Sequence, residues 1–132
     1  MIKLFPHSAT THGVTVRVAV SFLPEQSEPP RGRWFWSYHI RIENGGSQPV
    51  QLISREWVIV DGRGGRHDVR GEGVVGEQPV LEPGKSYDYV SGCPLSTPTG
   101  QMLGSFRMVG EDGSMFDVAI PRFPLVAPAV QA

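Results

Sequence analysis

A chain of 132 residues has the length of one domain, and folding can bury roughly two-thirds of the surface its unfolded form exposes. With hydrophobic residues at 39%, charged residues at 19% and a formal net charge of -1, it is neither a disordered polyampholyte nor a polybasic nucleic-acid binder. Its 16 Gly and 12 Pro exclude long helices, because Gly costs about 1 kcal/mol and Pro about 3 kcal/mol in a helix interior.

Residues 14 to 22 alternate, with Val14, Val16, Val18, Val20 and Phe22 on one face and Thr15, Arg17 and Ser21 on the other. This is the pattern of a half-buried strand. The following segment, LPEQSEPPRGR, predicts an exposed loop, since Pro24, Pro29, Pro30 and Gly32 suit neither helix nor central strand. Period two returns from Trp34 to Asn44, and Asn44-Gly45-Gly46 then predicts a turn into a hairpin partner at about Val50 to Val60. That partner carries apolar groups on both faces, as a central strand does. Residues 61 to 79 are glycine-rich and the least strand-like part of the chain. Pro83-Gly84 precedes a short strand at Ser86 to Val90, and a proline-punctuated loop from Gly92 to Gly100 leads to a strand at Met102 to Val109. Glu111-Asp112-Gly113 closes a hairpin onto Met115 to Ile120, and the tail from Pro121 is expected to fray.

About seven short strands without a helix predict an all-β antiparallel β-sandwich of the fibronectin type III or immunoglobulin kind. The Cys…Trp…Cys set of a true immunoglobulin domain is missing, which favours the fibronectin-like version. A single domain is expected over residues 1–132, with its core at about 12–125 and frayed tails at both ends.

The sharpest motif is Gly71-Glu72-Gly73-Val74-Val75-Gly76, a literal G-x-G-x-x-G. Such glycines can bring backbone close to a phosphate, with Arg66 and Arg70 as nearby cations. Pro79 and Pro83 nevertheless prevent the following helix whose N-terminus would hold the anion. Asp61, His67, Asp68, Glu72 and Glu77 lie close in sequence but follow no metal-ligand spacing, and Arg63, Arg66 and Arg70 sit among them. No metal site or cofactor is therefore expected. Trp57 reads as core, whereas Trp34 and Trp36 border the proline-rich loop and are the candidate partner-binding patch.

Cys93 is the one cysteine, which favours a reducing, cytoplasmic compartment, and it lacks a local Cys-His signature for nucleophilic work. His7 and His12 fall in a segment expected to be mobile, His39 lies on the polar face of a strand, and none has an acid or base partner nearby in sequence. No signal peptide and no apolar run of roughly 18 residues is present, so no membrane insertion is expected.

Tyr38 to Asn44 (YHIRIEN), Ser54-Arg55 with Trp57, Gly71 to Pro79 (GEGVVGEQP), Pro83-Gly84, Ser91-Gly92, Thr97 to Gly100, Met102 with Gly104, and Ile120 to Phe123 together resemble the ApaG family over about residues 12 to 125. The resemblance implies a fibronectin type III-like sandwich and an association with cobalt and magnesium efflux, under the alternative name CorD. It also implies protein contacts, as proposed for similar domains in F-box proteins and a polymerase-delta-interacting protein. The family brings a glycine motif, here Gly71, Gly73 and Gly76, but no catalytic residue to transfer. Glu56 stands where many relatives are expected to carry His. The functional expectation is a non-enzymatic protein-interaction module, monomeric or weakly dimeric, with an indirect effect on divalent cations; the alternative is a phosphate- or nucleotide-binding domain.

Overall fold

The computed structural model describes residues 4–128. Among them, nine strands follow in chain order: β1 (His7–Thr11), β2 (Val14–Phe22), β3 (Trp34–Asn44), β4 (Val50–Asp61), β5 (Arg66–Glu72), β6 (Val80–Leu81), β7 (Ser86–Leu95), β8 (Thr99–Gly110) and β9 (Met115–Val126). They form two antiparallel sheets, β1-β2-β3-β7 and β5-β4-β8-β9 with β6 on β4, which enclose one core as a β-sandwich. The fold class is the expected one, with two more strands than the sequence pattern suggested.

The alternation of β2 and β3 explains their pairing. Val16 faces Ile42 and Val18 faces Ile40 in register, and all four side chains are fully buried. The first difference from expectation comes after β3. Asn44-Gly45-Gly46 does not close a hairpin, because β3 pairs with β2 and β7 while β4 lies in the opposite sheet. Asn44 is buried, and its Nδ2 donates to the carbonyls of Gln48 and Leu81 at 2.8 and 2.9 Å while its Oδ1 accepts from the Gly46 N–H at 2.9 Å. These bonds steer the chain across the sandwich instead of back along β3.

Strand β4 is central in its sheet, as its apolar faces indicated, and a β-bulge at Ile53 explains why both faces are apolar. Leu52 faces Met108 and Ser54 faces the adjacent Arg107, so β4 holds one extra residue there. An extra residue exchanges the two faces of a strand. Leu52 before the bulge and Trp57 after it consequently both enter the core.

Strand β9 repeats the device. Its pairing with β8 shifts between Ile120 and Phe123, so Val118 and Ile120 before the shift and Phe123 and Leu125 after it are all buried. The tail expected to fray from Pro121 is therefore strand as far as Val126, while the outermost residues, 129–132, lie outside the described ones. Pro94 and Pro124 mislead as breakers because β7 and β9 are edge strands, where a missing N–H is tolerated. For the same reason β7 continues to Leu95 into the expected loop.

Three further expectations are corrected. His7 lies in β1 against Phe123, and His12 stacks edge-on to Phe116, so neither is in a mobile arm. The segment at Leu23 to Arg33 contains two single 3₁₀ turns, each begun by proline at a position that needs no N–H. The glycine-rich stretch after Asp61 contains β5, paired with β4 from Val60 and Arg66 to Ser54 and Glu72.

One side of the sandwich is closed: β1 and β2 pack beside β9, and Thr11 Oγ1 accepts from the Ala119 N–H at 3.1 Å. On the opposite side the outer edges of β5 and β7 have no partner strand among the described residues. Trp57 bridges the layers in a cluster with Tyr38 and Phe123, at ring separations of 5.4 and 6.0 Å.

Trp57→Ala and Trp36→Ala are expected to cost about 3–5 kcal/mol each, since both rings are fully buried, and Trp34→Ala less, because it only packs against the edge of the core. Urea melts of the three variants check this ranking. Gly104→Ala should cost about 1–3 kcal/mol, because a Cβ there would collide with the Glu56 carbonyl across the β4–β8 ladder.

Candidate binding cleft

The open side is a cleft of about 890 Å³. Tyr38 from β3, Trp57 and Ile59 from β4, Met102 from β8, and Cys93 and Leu95 from β7 form its apolar walls. Two valines stand exposed at its mouth, Val69 on β5 (40%), opposite Trp57, and Val75 in the turn after β5 (65%), whereas Val90 at its margin on β7 shares the outer face of its sheet with His39 and Asp88. The volume and apolar lining with few polar groups are those of ligand sites in general.

Arg55 is the polar centre of the cleft. The bulge at Ile53 turns it inward with Trp57 and Ile59, and its Nη1 donates to the carbonyl oxygens of Glu72 and Gly73 at 3.0 and 2.9 Å. Tyr38 and Tyr89 lie within reach of its charge. Burial raises both phenols above their ordinary range, although Arg55 opposes the shift. The Tyr89 hydroxyl is buried and has no hydrogen-bond partner among the described residues.

The glycine motif proves to be the seat of this arginine. A Cβ on Gly71 would lie 2.8 Å from the guanidinium nitrogens. Gly73 has φ +62°, and its N–H donates to the Ile53 carbonyl at 2.8 Å. Val74 and Glu77 then exchange backbone bonds of 2.8 and 2.9 Å around Val75 and Gly76, whose φ values of 49° and 80° make a type I′ turn. A β-branched residue at positive φ is a strained outlier. The N–H groups of Gly73, Val74 and Glu77 are thus already bonded, and strand β6, not a helix, follows.

The proposed phosphate cations are likewise engaged elsewhere. Arg66 pairs with Asp68 at 2.8 Å and Arg70 with Glu56 at 3.1 Å. Both point away from the cleft, where the alternate β5 residues His67 and Val69 lie; Arg70 borders Gly71 from the outside. The tryptophan pair is not a surface patch. Trp36 is 1% exposed, and its Nε1 donates to the Val126 carbonyl at 3.2 Å; Trp34 is half-buried.

Among the described residues, no three His, Cys, Asp or Glu side chains are placed to hold a metal ion. Asp61 instead accepts the N–H groups of Gly65 and Arg63, which hold its carboxyl below the usual range. His39 does have an acidic partner, Asp88 at 2.7 Å, but the pair sits on the outer face of its sheet. Burial pushes the Cys93 thiol up to about 11. Sequence reasoning missed Arg55, Tyr38 and Tyr89 as a group; the only local hint was the adjacent charged pair Arg55-Glu56 in the middle of a largely apolar strand.

These features define a β-sandwich domain with a preformed cleft between two unpaired sheet edges. The chain belongs to the ApaG family: the model of the ApaG domain matches residues 24–110. It is 53% identical to Protein ApaG of Afipia carboxidovorans over 95% of this chain and 96% of that one, and 52% identical to Protein ApaG of Anaeromyxobacter dehalogenans over 92% and 95%. The crystal structure of an ApaA protein from Bordetella pertussis superposes with a TM-score of 0.85 at 48% identity, covering 89% of this chain and 95% of that one.

Gly76→Ala is expected to cost about 1 kcal/mol, for its positive φ in open space, and Gly73→Ala more, because its Cβ would also strike the Glu77 carbonyl. Thermal melts with and without ATP check both; the loop geometry predicts no nucleotide-dependent shift. Cys93 should stay unmodified by a thiol reagent at pH 7 until the protein is denatured, because the thiolate is the reactive form.

Proposed function

We propose that this chain is a non-enzymatic protein-interaction module, and that it engages an extended segment of a partner along the open side between β5 and β7. The observation that carries this reading is the placement of Val69 and Val75, both exposed, at the mouth of one apolar concavity. Single exposed valines need no explanation, but two rimming an apolar cleft do. Strand β7 adds an unpaired row of backbone donors and acceptors, which an extended segment can use as one more strand. Pro94 interrupts that row, so the usable stretch is Tyr87 to Gly92.

The phosphate-loop reading draws no support from a turn whose Gly73, Val74 and Glu77 N–H groups already donate to backbone carbonyls. An influence on cobalt or magnesium would be exerted through the partner, in the cytoplasm, where Cys93 stays a thiol. No helix among the described residues is long and apolar enough to cross a membrane.

The test compares affinity capture from cell extract by the native chain, by Val69→Asp in the cleft, and by Val126→Asp, which is also exposed, on β9. Loss of the same protein with Val69→Asp and its retention with Val126→Asp is expected. Equal capture by all three would remove the cleft from the interaction.

A further inference from the structure

Resting on the interaction reading, we infer that the cleft holds the C-terminal residue of the partner: the terminal carboxylate at Arg55 and the Tyr89 hydroxyl, and a large apolar last side chain over Trp57 and Ile59.

Seven ion pairs link described residues, and Arg55 is in none of them. Its Nη1 is tied to two carbonyls, while Nε and Nη2 make no hydrogen bond within the described residues and remain donors. A guanidinium held on one side and open on the other is shaped to receive a carboxylate through two parallel bonds. Arg33 also lines the cleft without an ion pair, and the one carboxylate there, Asp61, already accepts two backbone N–H groups. A chain with a net charge of -1 therefore has a positive cleft, which selects an anionic guest.

The Tyr89 hydroxyl is orphaned: Tyr89 is 8% exposed, and its Oη is buried without a partner among the described residues. An unmade bond of this kind is costly, and a carboxylate oxygen at Arg55 would complete it once the side chains that cover the hydroxyl move aside.

A chain terminus fits the cleft better than an internal acidic residue. Neighbouring side chains of an extended segment point to opposite faces, so an internal Glu and its apolar neighbour would not enter one pocket together. A terminal residue carries both groups on a single Cα. The turn after β5 also folds across the Arg55 end of the cleft, with Val74 fully buried and Val75 at the rim, so a chain ends there more easily than it passes through. The segment would run antiparallel to β7, from the Leu95 end towards Tyr89.

A pool of random octapeptides, made both as free acids and as C-terminal amides, is passed over the immobilised full chain and the retained peptides are read by mass spectrometry. Enrichment is expected for free acids ending in Phe, Leu, Ile, Met or Val. The amide of the best peptide should bind about tenfold more weakly, the effect of one charge-assisted contact. Tyr89→Phe should weaken the free acid about threefold or more while its melting temperature stays equal or rises, because it deletes an unpartnered hydroxyl. A merely structural tyrosine would not give that combination. Arg55→Gln should erase the acid–amide difference.

Equal retention of acids and amides, no enrichment in either pool, or a Tyr89→Phe variant that binds normally would overturn the inference. Binding of N-acetyl-phenylalanine as tight as that of the best peptide would overturn it in favour of a small-molecule site. If capture from extract still depends on Val69 in any of these cases, the interaction reading stands without the C-terminal anchor; if that dependence is absent, both fall.

Discussion

The extra residue at Ile53 is the constraint on which the open side of the molecule depends. Without it, the parity set by the buried Leu52 would carry Ser54, Glu56 and Val58 into the sandwich and turn Arg55, Trp57 and Ile59 out to solvent. A buried unpaired carboxylate at Glu56 would be expensive, so the register after the bulge is strongly determined. The same irregularity releases the Ile53 carbonyl from the β4–β8 ladder, where it accepts the Gly73 N–H and a bond from the Gln78 side chain at 2.9 Å. One inserted residue therefore supplies both the arginine in the cleft and the attachment point of the turn that holds it.

Seen from that turn, the G-x-G-x-x-G pattern has a different physical meaning in each of its glycines. Gly71 leaves space for a guanidinium, Gly73 reconciles positive φ with close approach to the Glu77 carbonyl, and Gly76 completes a two-residue turn. A phosphate loop needs unbonded N–H groups converging on one point and a helix dipole behind them. Here the groups close on the chain itself. The motif describes where backbone must come close or curl left-handed, and it is silent about what approaches; in this chain the approaching group is Arg55.

Legibility in the sequence followed the range of the interactions. Strands β2 and β3 could be bounded to the residue because their alternation is unbroken and local, and the Glu111-Asp112-Gly113 hairpin was legible because turn and strands are adjacent. Elements whose cause is distant were misread. Asn44 looks like a turn residue, but it bonds Leu81 on a segment 37 positions away. Pro94 and Pro124 look like breakers until the sheet order shows that they lie on edges. Trp36 and Trp34 looked alike by position, and only the closing β9 strand, whose Val126 carbonyl takes the Trp36 N–H, separates a core ring from a half-buried one. Of the candidate site, Gly71, Gly73 and Gly76 were legible as special backbone, whereas Arg55, Tyr38 and Tyr89 come from three strands in two sheets and share no sequence spacing.

The two sides of the sandwich also differ in how completely their local demands are met. On the closed side, β1 and β9 settle against each other with a hydroxyl bridging to a backbone N–H, and the one comparable strain there among the described residues is His12 at φ 51° in the β1–β2 turn. On the open side lie a valine at positive φ, an arginine with no carboxylate, a tyrosine hydroxyl with no partner and two unpaired strand edges. Strain and unmade bonds of this kind cost about 1–3 kcal/mol each, a large part of the 5–15 kcal/mol that usually holds a domain together. Core packing has no need of any of them: Val75 points outward, and Tyr89 could be phenylalanine without loss of volume. Their concentration around one cleft is what a surface organised for a guest requires, since a group satisfied within the fold has nothing left to offer a ligand, while one held in place and left unsatisfied has its bond to give.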